Sequence, residues 1–184
     1  MLINTSAKTS QVRAVRATGR AAGFTLIEIL IVVVILGIMA TIVIPQFSNA
    51  SHEARENTLK DDLRYLRIQI QVYKAQHLDS APGYPGGSTT ATPTEAAFID
   101  QMTHFSSDLC ATSTTQSATY KFGPYLSKMP ENPLNGLNTI TIVANGGTVP
   151  AADGTTGWIY KAQTQELYAN LTGNDGTGTP YIRY

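Results

Sequence analysis

The sequence predicts an α+β protein in which one long N-terminal helix packs against a small three-stranded antiparallel β-sheet. A long, mostly apolar run occupies residues 24–44, and an amphipathic stretch with helical spacing follows it. Three short β-rich segments lie near the end of the chain. Because the chain has 184 residues, it has room for one modest domain in addition to such a helix.

Residues 1–23 form a basic leader, which we expect to be cleaved. They contain no acidic residue and four basic ones, Lys8, Arg13, Arg16 and Arg20. A cationic segment before an apolar run stays on the cytoplasmic side of a membrane. The rest of the chain is mildly acidic and has no cluster of lysines and arginines, which argues against binding to nucleic acid.

Residues 24–44 are mostly apolar, and Glu28 is their only charged residue. As a helix they span about 31 Å, which matches the hydrocarbon core of a bilayer. Such a run is longer than the apolar stretch of a cleaved secretory signal, about 7–15 residues. The segment is therefore predicted to span a membrane, and an ordinary single-span anchor remains one alternative.

Glu28 is unusual because a carboxylate in a spanning segment is costly unless it is paired. No basic residue lies between Phe24 and His52. Cleavage before Phe24 would create an α-amine four positions upstream. In a staggered stack of helices, that amine reaches the carboxylate of a neighbouring copy. The ion pair then stabilises the correct register between neighbouring helices. The alternative is that Glu28 lies at the level of the lipid headgroups, solvated or protonated.

Residues 45–78 are predicted to continue the helix outside the membrane. Pro45 removes a backbone donor, and with Gly37 upstream it gives the helix two weak points where a kink is expected. The stripe of apolar residues, spaced by three or four positions, predicts the face that packs on a domain: Leu59, Leu63, Leu66, Ile70 and Tyr73. A neighbouring strip of basic residues is read as a solvated face: Lys60, Arg64 and Arg67.

Residues 79–184 form the predicted globular head. Residues 79–122 contain loops and a short helix that Thr94 caps, including a polar surface loop at 106–118. A proline-rich connection follows at 123–133, with Tyr125 and Leu126 facing inward. The sheet and tail occupy 134–184, with strands at 139–144, 157–162 and 166–171 and a tail running over the surface.

No catalytic motif is present, and an enzymatic function is not expected. The three histidines, His52, His77 and His104, are scattered, and the first two are read as lying on a solvated helix face. Cys110 is the only cysteine, so an intrachain disulfide is impossible.

The run Gly23-Phe24-Thr25-Leu26-Ile27-Glu28, followed by the aliphatic segment and Pro45, resembles the N-terminal signature of type IV prepilins and type II secretion pseudopilins. Residues 123–126 (GPYL) are similar to the connection before the sheet in major pseudopilins. The resemblance implies a pilin-like fold and cleavage between Gly23 and Phe24 by a prepilin peptidase. It also implies N-methylation of Phe24 and Glu28 as the assembly carboxylate.

A pseudopilin would be a structural subunit in the bacterial inner membrane, with its leader cytoplasmic and its head periplasmic. Its partners would be copies of itself in a helical filament, minor pseudopilins, the peptidase, the inner-membrane assembly platform and, before assembly, membrane lipid. One alternative is a type IV pilin that serves adhesion, motility or DNA uptake. Others are a membrane-anchored binding module and a secreted soluble protein.

Calcium is the one cofactor that the resemblance suggests, because major pseudopilins often bind it near their last strands. The oxygen-bearing candidates here are Asp153, Asn174 and Asp175. They are sparse for an ion that takes about six to eight oxygen ligands. No other metal or cofactor is expected.

Overall fold

A computed structural model of the protein describes residues 23–184, so the predicted leader lies outside the described residues except for Gly23. The chain divides between Pro45 and Gln46 into two units, which are described separately. Helix α1, Leu26–Gln76, contributes its first part to the N-terminal unit and the rest to the C-terminal unit, the head.

In the N-terminal unit, α1 is apolar and uncovered. The side chains described between Phe24 and Ile44 are all exposed. The helix is long and apolar enough to cross a bilayer by length and composition. The helical backbone continues through Gly37 and Pro45, so neither residue ends the helix, and the expected kink stays a prediction.

The predicted stripe of the head part of α1 is confirmed as its core-facing side. Leu59, Leu63, Leu66, Ile70 and Tyr73 are each at most 1% exposed and belong to one hydrophobic core. Helix α2, Glu95–Thr103, adds Phe98 and Met102 to that core. As expected, Thr94 caps α2, because its hydroxyl accepts a hydrogen bond from the Ala97 amide at 3.2 Å.

The sheet against this core has three strands, β3 (Ile140–Ile142), β4 (Trp158–Lys161) and β5 (Glu166–Ala169), in that order. The predicted α+β class is confirmed. The all-antiparallel arrangement is wrong, however, because β3 pairs with β4 in parallel while β4 and β5 are antiparallel. Trp158 and Tyr160 of β4 are fully buried in the core, as their alternation predicts.

The parallel pair exists because the chain makes a long excursion, residues 143–157, before it re-enters the sheet. Asn170 holds this excursion and is only 1% exposed. Its side chain accepts from the amides of Asp153 and Gly154 at 2.9 and 3.2 Å. It also donates to the Asp153 carboxylate and the Thr156 hydroxyl, both at 2.8 Å. A polar side chain directly after β5 thus fixes the path that permits the parallel pairing.

Residues 106–118 are not a plain surface loop, contrary to the prediction. Strands β1 (Phe105–Ser106) and β2 (Thr112–Ser113) form a short antiparallel hairpin, and Ser106, Ser107 and Cys110 are buried. In the proline-rich connection at 123–133, the prediction that Tyr125 and Leu126 face inward is confirmed. Tyr125 and Leu126 are buried, and both of their amides donate to the Met102 carbonyl at the end of α2.

The tail runs largely over the surface, as predicted, but residues 175–184 also form a latch on α1 in which Tyr181 is buried. The Tyr181 hydroxyl donates to the buried Glu56 carboxylate at 2.8 Å. The Arg67 guanidinium donates to main-chain oxygens of Leu167 and Tyr184, so this residue does not belong to a solvated strip. The Lys60 ammonium lies 4.5 Å from the centre of the Tyr184 ring. We call these contacts the C-terminal latch.

Replacing Tyr181 with phenylalanine is expected to destabilise the head by about 1–3 kcal/mol. The change removes the hydroxyl that donates to the buried Glu56 carboxylate and, among the described residues, leaves only the exposed His52, 3.4 Å away, beside it. Urea unfolding of a fragment of residues 46–184, followed by tryptophan fluorescence, measures the effect. Tyr65→Phe is the matched control, because it removes a hydroxyl that donates to an uncharged group, the Tyr125 carbonyl at 3.3 Å, from a residue that is 48% exposed. Equal stability of the two variants would contradict a role for the latch.

Candidate functional site

The bond between Gly23 and Phe24 is open to an enzyme in the described chain. Both residues are exposed, Phe24 to 84%, and both precede the first helical residue, Leu26. A peptide bond outside regular structure is the kind that proteases reach most readily. The geometry therefore suits the predicted cleavage, which itself stays a prediction.

Glu28 forms a reciprocal cap with Thr25 at the start of α1. Its carboxylate accepts hydrogen bonds from the Thr25 amide and hydroxyl, both at 2.8 Å. The Thr25 hydroxyl in turn accepts from the Glu28 amide at 3.2 Å. This arrangement is a capping box, which satisfies orphan donors at a helix start. The segment thus offers Glu28 hydrogen-bond partners, although it contains no basic residue.

The charge of Glu28 is a separate matter, because both groups of Thr25 are neutral. Within residues 23–184, no basic side chain lies within 4.0 Å of the Glu28 carboxylate. The cap orients the carboxylate without neutralising it. The assembly role predicted for Phe24 and Glu28 thus keeps its electrostatic basis and stays a prediction.

The apolar surface around this site is too large to remain in water. From Leu26 at 85% exposure to Ile44 at 67%, successive residues present their side chains on all sides of the helix. Monomeric soluble proteins rarely expose a contiguous apolar patch beyond a few hundred Å². The N-terminal unit must therefore be covered by lipid or by other helices.

The three calcium candidates are not brought together by any contact among the described residues. The Asp153 carboxylate bonds to Thr155 and Asn170, whereas Asp175 bonds to Thr177, Thr179 and Tyr184. The Thr177 hydroxyl, followed by the Tyr184 hydroxyl, holds the pKa of Asp175 well below its ordinary value. Over residues 23–184, no three histidine, cysteine or carboxylate side chains are grouped to hold a metal.

The histidines lie apart, but one of them is not solvated as predicted. His77 is fully buried and stacks on Tyr73 with ring centres 3.8 Å apart. Its Nδ1 lies 2.7 Å from the Tyr73 carbonyl and its Nε2 lies 3.0 Å from the Ser106 hydroxyl. His52 remains on an exposed face, 3.4 Å from Glu56. The hairpin that buries Ser106 accounts for the error, because it covers the last turn of α1.

Lowering the pH from about 7 to 5 is expected to destabilise the head through His77. Burial lowers the pKa of His77 below its usual value of about 6.5, although the Tyr73 carbonyl and Asp108 act in the opposite direction. Between the folded and the unfolded pKa of His77, the unfolded chain therefore binds a proton on this residue and the folded chain does not. Stability is complete above about pH 6.5 and falls below it by up to about 1.4 kcal/mol per pH unit, until the folded pKa is reached.

Urea unfolding of the 46–184 fragment at several pH values measures this slope. His77→Gln is expected to flatten it, whereas the exposed control His52→Gln is expected to retain it. A slope unchanged in His77→Gln would assign the acid sensitivity to other groups.

Comparison with known proteins places the N-terminal unit in a class. Residues 19–44 match the prokaryotic N-terminal methylation motif. This match covers the cleavage position, the capping box and most of the apolar helix. The predicted resemblance to prepilin-type proteins is therefore confirmed.

Comparison with individual proteins gives more specific matches. It is 44% identical over 52 residues to the type II secretion system core protein G of Pseudomonas aeruginosa, which is 28% of this chain and 37% of that protein. It is 27% identical over 114 residues to that of Aeromonas hydrophila, covering 62% and 68%. For Vibrio cholerae the values are 31% over 111 residues, covering 60% and 64%. No solved structure matches the chain.

The matched region thus spans little more than a third of the P. aeruginosa relative and about two thirds of the other two. Within these limits the chain is similar to core proteins G of type II secretion systems, as the sequence predicts.

Sequence reasoning overlooked the partner of Glu28. The pattern Thr25-x-x-Glu28 before an apolar run is itself a capping-box signal and could have identified it. The latch between Tyr181 and Glu56 had no such signal, because 125 positions separate the two residues.

Proposed function

We propose that the chain is a structural subunit of a type II secretion pseudopilus. A prepilin peptidase removes residues 1–23, Phe24 is N-methylated, and the apolar part of α1 enters the core of a helical filament. Extension of the filament then drives protein export. The observation that carries the proposal is an exposed Gly23–Phe24 bond beside an oriented, unneutralised carboxylate at the mouth of an uncovered apolar helix.

In the precursor, the basic leader stays in the cytoplasm, the apolar segment spans the inner membrane, and the head lies in the periplasm. Assembly exchanges lipid for helix contacts, so the exposed residues from Leu26 to Ile44 stay out of water throughout. The freed amine of Phe24 then pairs with Glu28 of a neighbouring copy. The other partners in this proposal are minor pseudopilins and the inner-membrane assembly platform. The chain acts by assembly and not by catalysis.

The mature N-terminus tests the proposal. The full chain is produced in a bacterium that carries a type II secretion system, and the sheared filament fraction is analysed by intact-protein mass spectrometry. The expected mass is that of residues 24–184 with one methyl group. An intact leader, or a start inside the apolar run, would overturn it.

A second arm separates the secretion pseudopilus from a type IV pilus. The chain is expected to restore export in a strain that lacks its own core protein G. Recovery of piliation in a pilin-deficient strain without recovery of export would assign it to the pilus instead.

A further inference from the structure

Apart from Phe47 at its start, the described head exposes few large apolar side chains, and they form two groups. Tyr65, Ile68 and Val72 lie on α1 and are 38–50% exposed. Leu78 and Leu109 are 79% and 71% exposed. Such concentrations on an otherwise polar surface mark contact sites.

Ile68 and Val72 of the first group line an open depression of 540 Å³ on the side of α1 roughly opposite the buried stripe. We call it the helix face, and its lining residues are Arg64, Arg67, Ile68, Gln71, Val72 and Ala75. Arg67 already donates to the main-chain oxygens of Leu167 and Tyr184, whereas Arg64 forms no ion pair within residues 23–184. The helix face is thus an apolar strip with the guanidinium group of Arg64, unpaired among the described residues, beside it.

The second group is the leucine pair, Leu78 and Leu109, which border one depression of 290 Å³ together with Asp79 and Asp108. Both carboxylates remain open to a further partner. Asp79 lies 3.8 Å from Lys74 with its side chain 88% exposed. Asp108 lies 3.0 Å from Lys121 with its side chain 57% exposed.

Leu78 has a backbone φ of 53° just after α1 ends. Glycine or asparagine ordinarily occupies this left-handed position, because a β-carbon there is strained. Since Leu78 is 79% exposed, burial within the described chain does not offset that strain. Backbone strain that the monomer does not compensate is a feature of contact and functional sites.

We propose that the leucine pair of one copy docks on the helix face of the next copy in the filament. Apolar surface then meets apolar surface, and the carboxylates of Asp79 and Asp108 approach the guanidinium group of Arg64. Because the two surfaces are different patches of the same head, the contact is heterologous and repeats without closing, as a filament requires. The inference rests on the proposed assembly into a filament and adds the contact between heads.

Cysteine cross-linking in sheared filaments tests the contact. The double variant Val72→Cys/Leu109→Cys is expected to give a ladder of covalent oligomers under mild oxidation. Each single variant is expected to give no ladder. The parent chain is also expected to give none, because its Cys110 is buried. A dimer from Val72→Cys alone would reveal a symmetric contact and overturn the proposal.

Substitution provides a second measurement if the cysteine variants assemble poorly. Leu78→Asn and Leu109→Asn are each expected to lower filament yield about tenfold, since each removes one buried leucine from every contact. Leu78→Asn is expected to leave head stability unchanged or higher, because asparagine tolerates positive φ. The exposed control Lys128→Asn is expected to have no effect.

The outcomes separate this inference from the proposed function. Filaments that begin at Phe24 but show neither the ladder nor the loss in yield would overturn the docking contact and leave the secretion subunit in place. Absence of filaments from the parent chain would overturn both.

Discussion

Glu28→Gln is expected to abolish filament assembly while peptidase cleavage and the start of α1 persist. A glutamine carbonyl can accept the same hydrogen bonds from Thr25, so the capping box remains. The change removes only the charge that is proposed to pair with the Phe24 amine of a neighbour. Leaving one member of such a pair buried alone costs about 3–5 kcal/mol, or at least about a hundredfold in affinity, at every subunit. Electron microscopy of sheared fractions and the mass of the cell-bound chain measure assembly and cleavage.

Two control variants separate the charge of Glu28 from its capping role. Thr25→Val removes the capping hydroxyl but keeps the carboxylate, so it should cost only about 1 kcal/mol at the helix start and leave filaments in place. Glu53→Gln removes an exposed carboxylate beyond the apolar segment and should have no effect. Filaments from Glu28→Gln, or their loss in Thr25→Val, would show that Glu28 serves the helix start and not the contact between copies.

The sequence predicted well those elements whose pattern is local. The stripe from Leu59 to Tyr73, the cap at Thr94 and the alternation of Trp158 and Tyr160 all depend on residues within a few positions of one another. Helical and strand periodicity fix which side of such an element faces the core, whatever the rest of the chain does. The N-terminal hexapeptide, which lies within the matched methylation motif, is local in the same way.

Features that depend on distant residues were missed. The parallel pairing of β3 and β4 requires Asn170 to hold an excursion 14–17 positions earlier in the chain. The latch requires Tyr181 to reach Glu56, and His77 is buried because a hairpin about 29 positions later covers it. Each of these contacts is a polar pair across the fold, and the identity of one partner says little about the other.

Replacing Gly157 with alanine is expected to destabilise the head by about 3 kcal/mol or more. A β-carbon at this position would collide with the carbonyl oxygen of Leu137. The backbone of Gly157 cannot withdraw easily, because its amide donates to the Thr139 carbonyl at 3.0 Å and its carbonyl accepts from Asn170 and Asn132. Overpacking against fixed backbone is among the costliest single changes in a protein. Urea unfolding of the 46–184 fragment gives the loss directly.

The matched control is Gly176→Ala, since a β-carbon there meets no atom within 4 Å. It should change stability by no more than about 0.5 kcal/mol. Gly157 directly precedes β4, the central strand. A shift of its backbone would therefore disturb the pairing of β4 with both β3 and β5. In cells, such a loss should lower the amount of mature chain before it lowers cleavage at Gly23, because unfolded heads are degraded. If the Gly157→Ala head were as stable as the parent, the backbone around Leu137 would have to move away freely. The hydrogen bond from Asn170 would then not hold Gly157 in place.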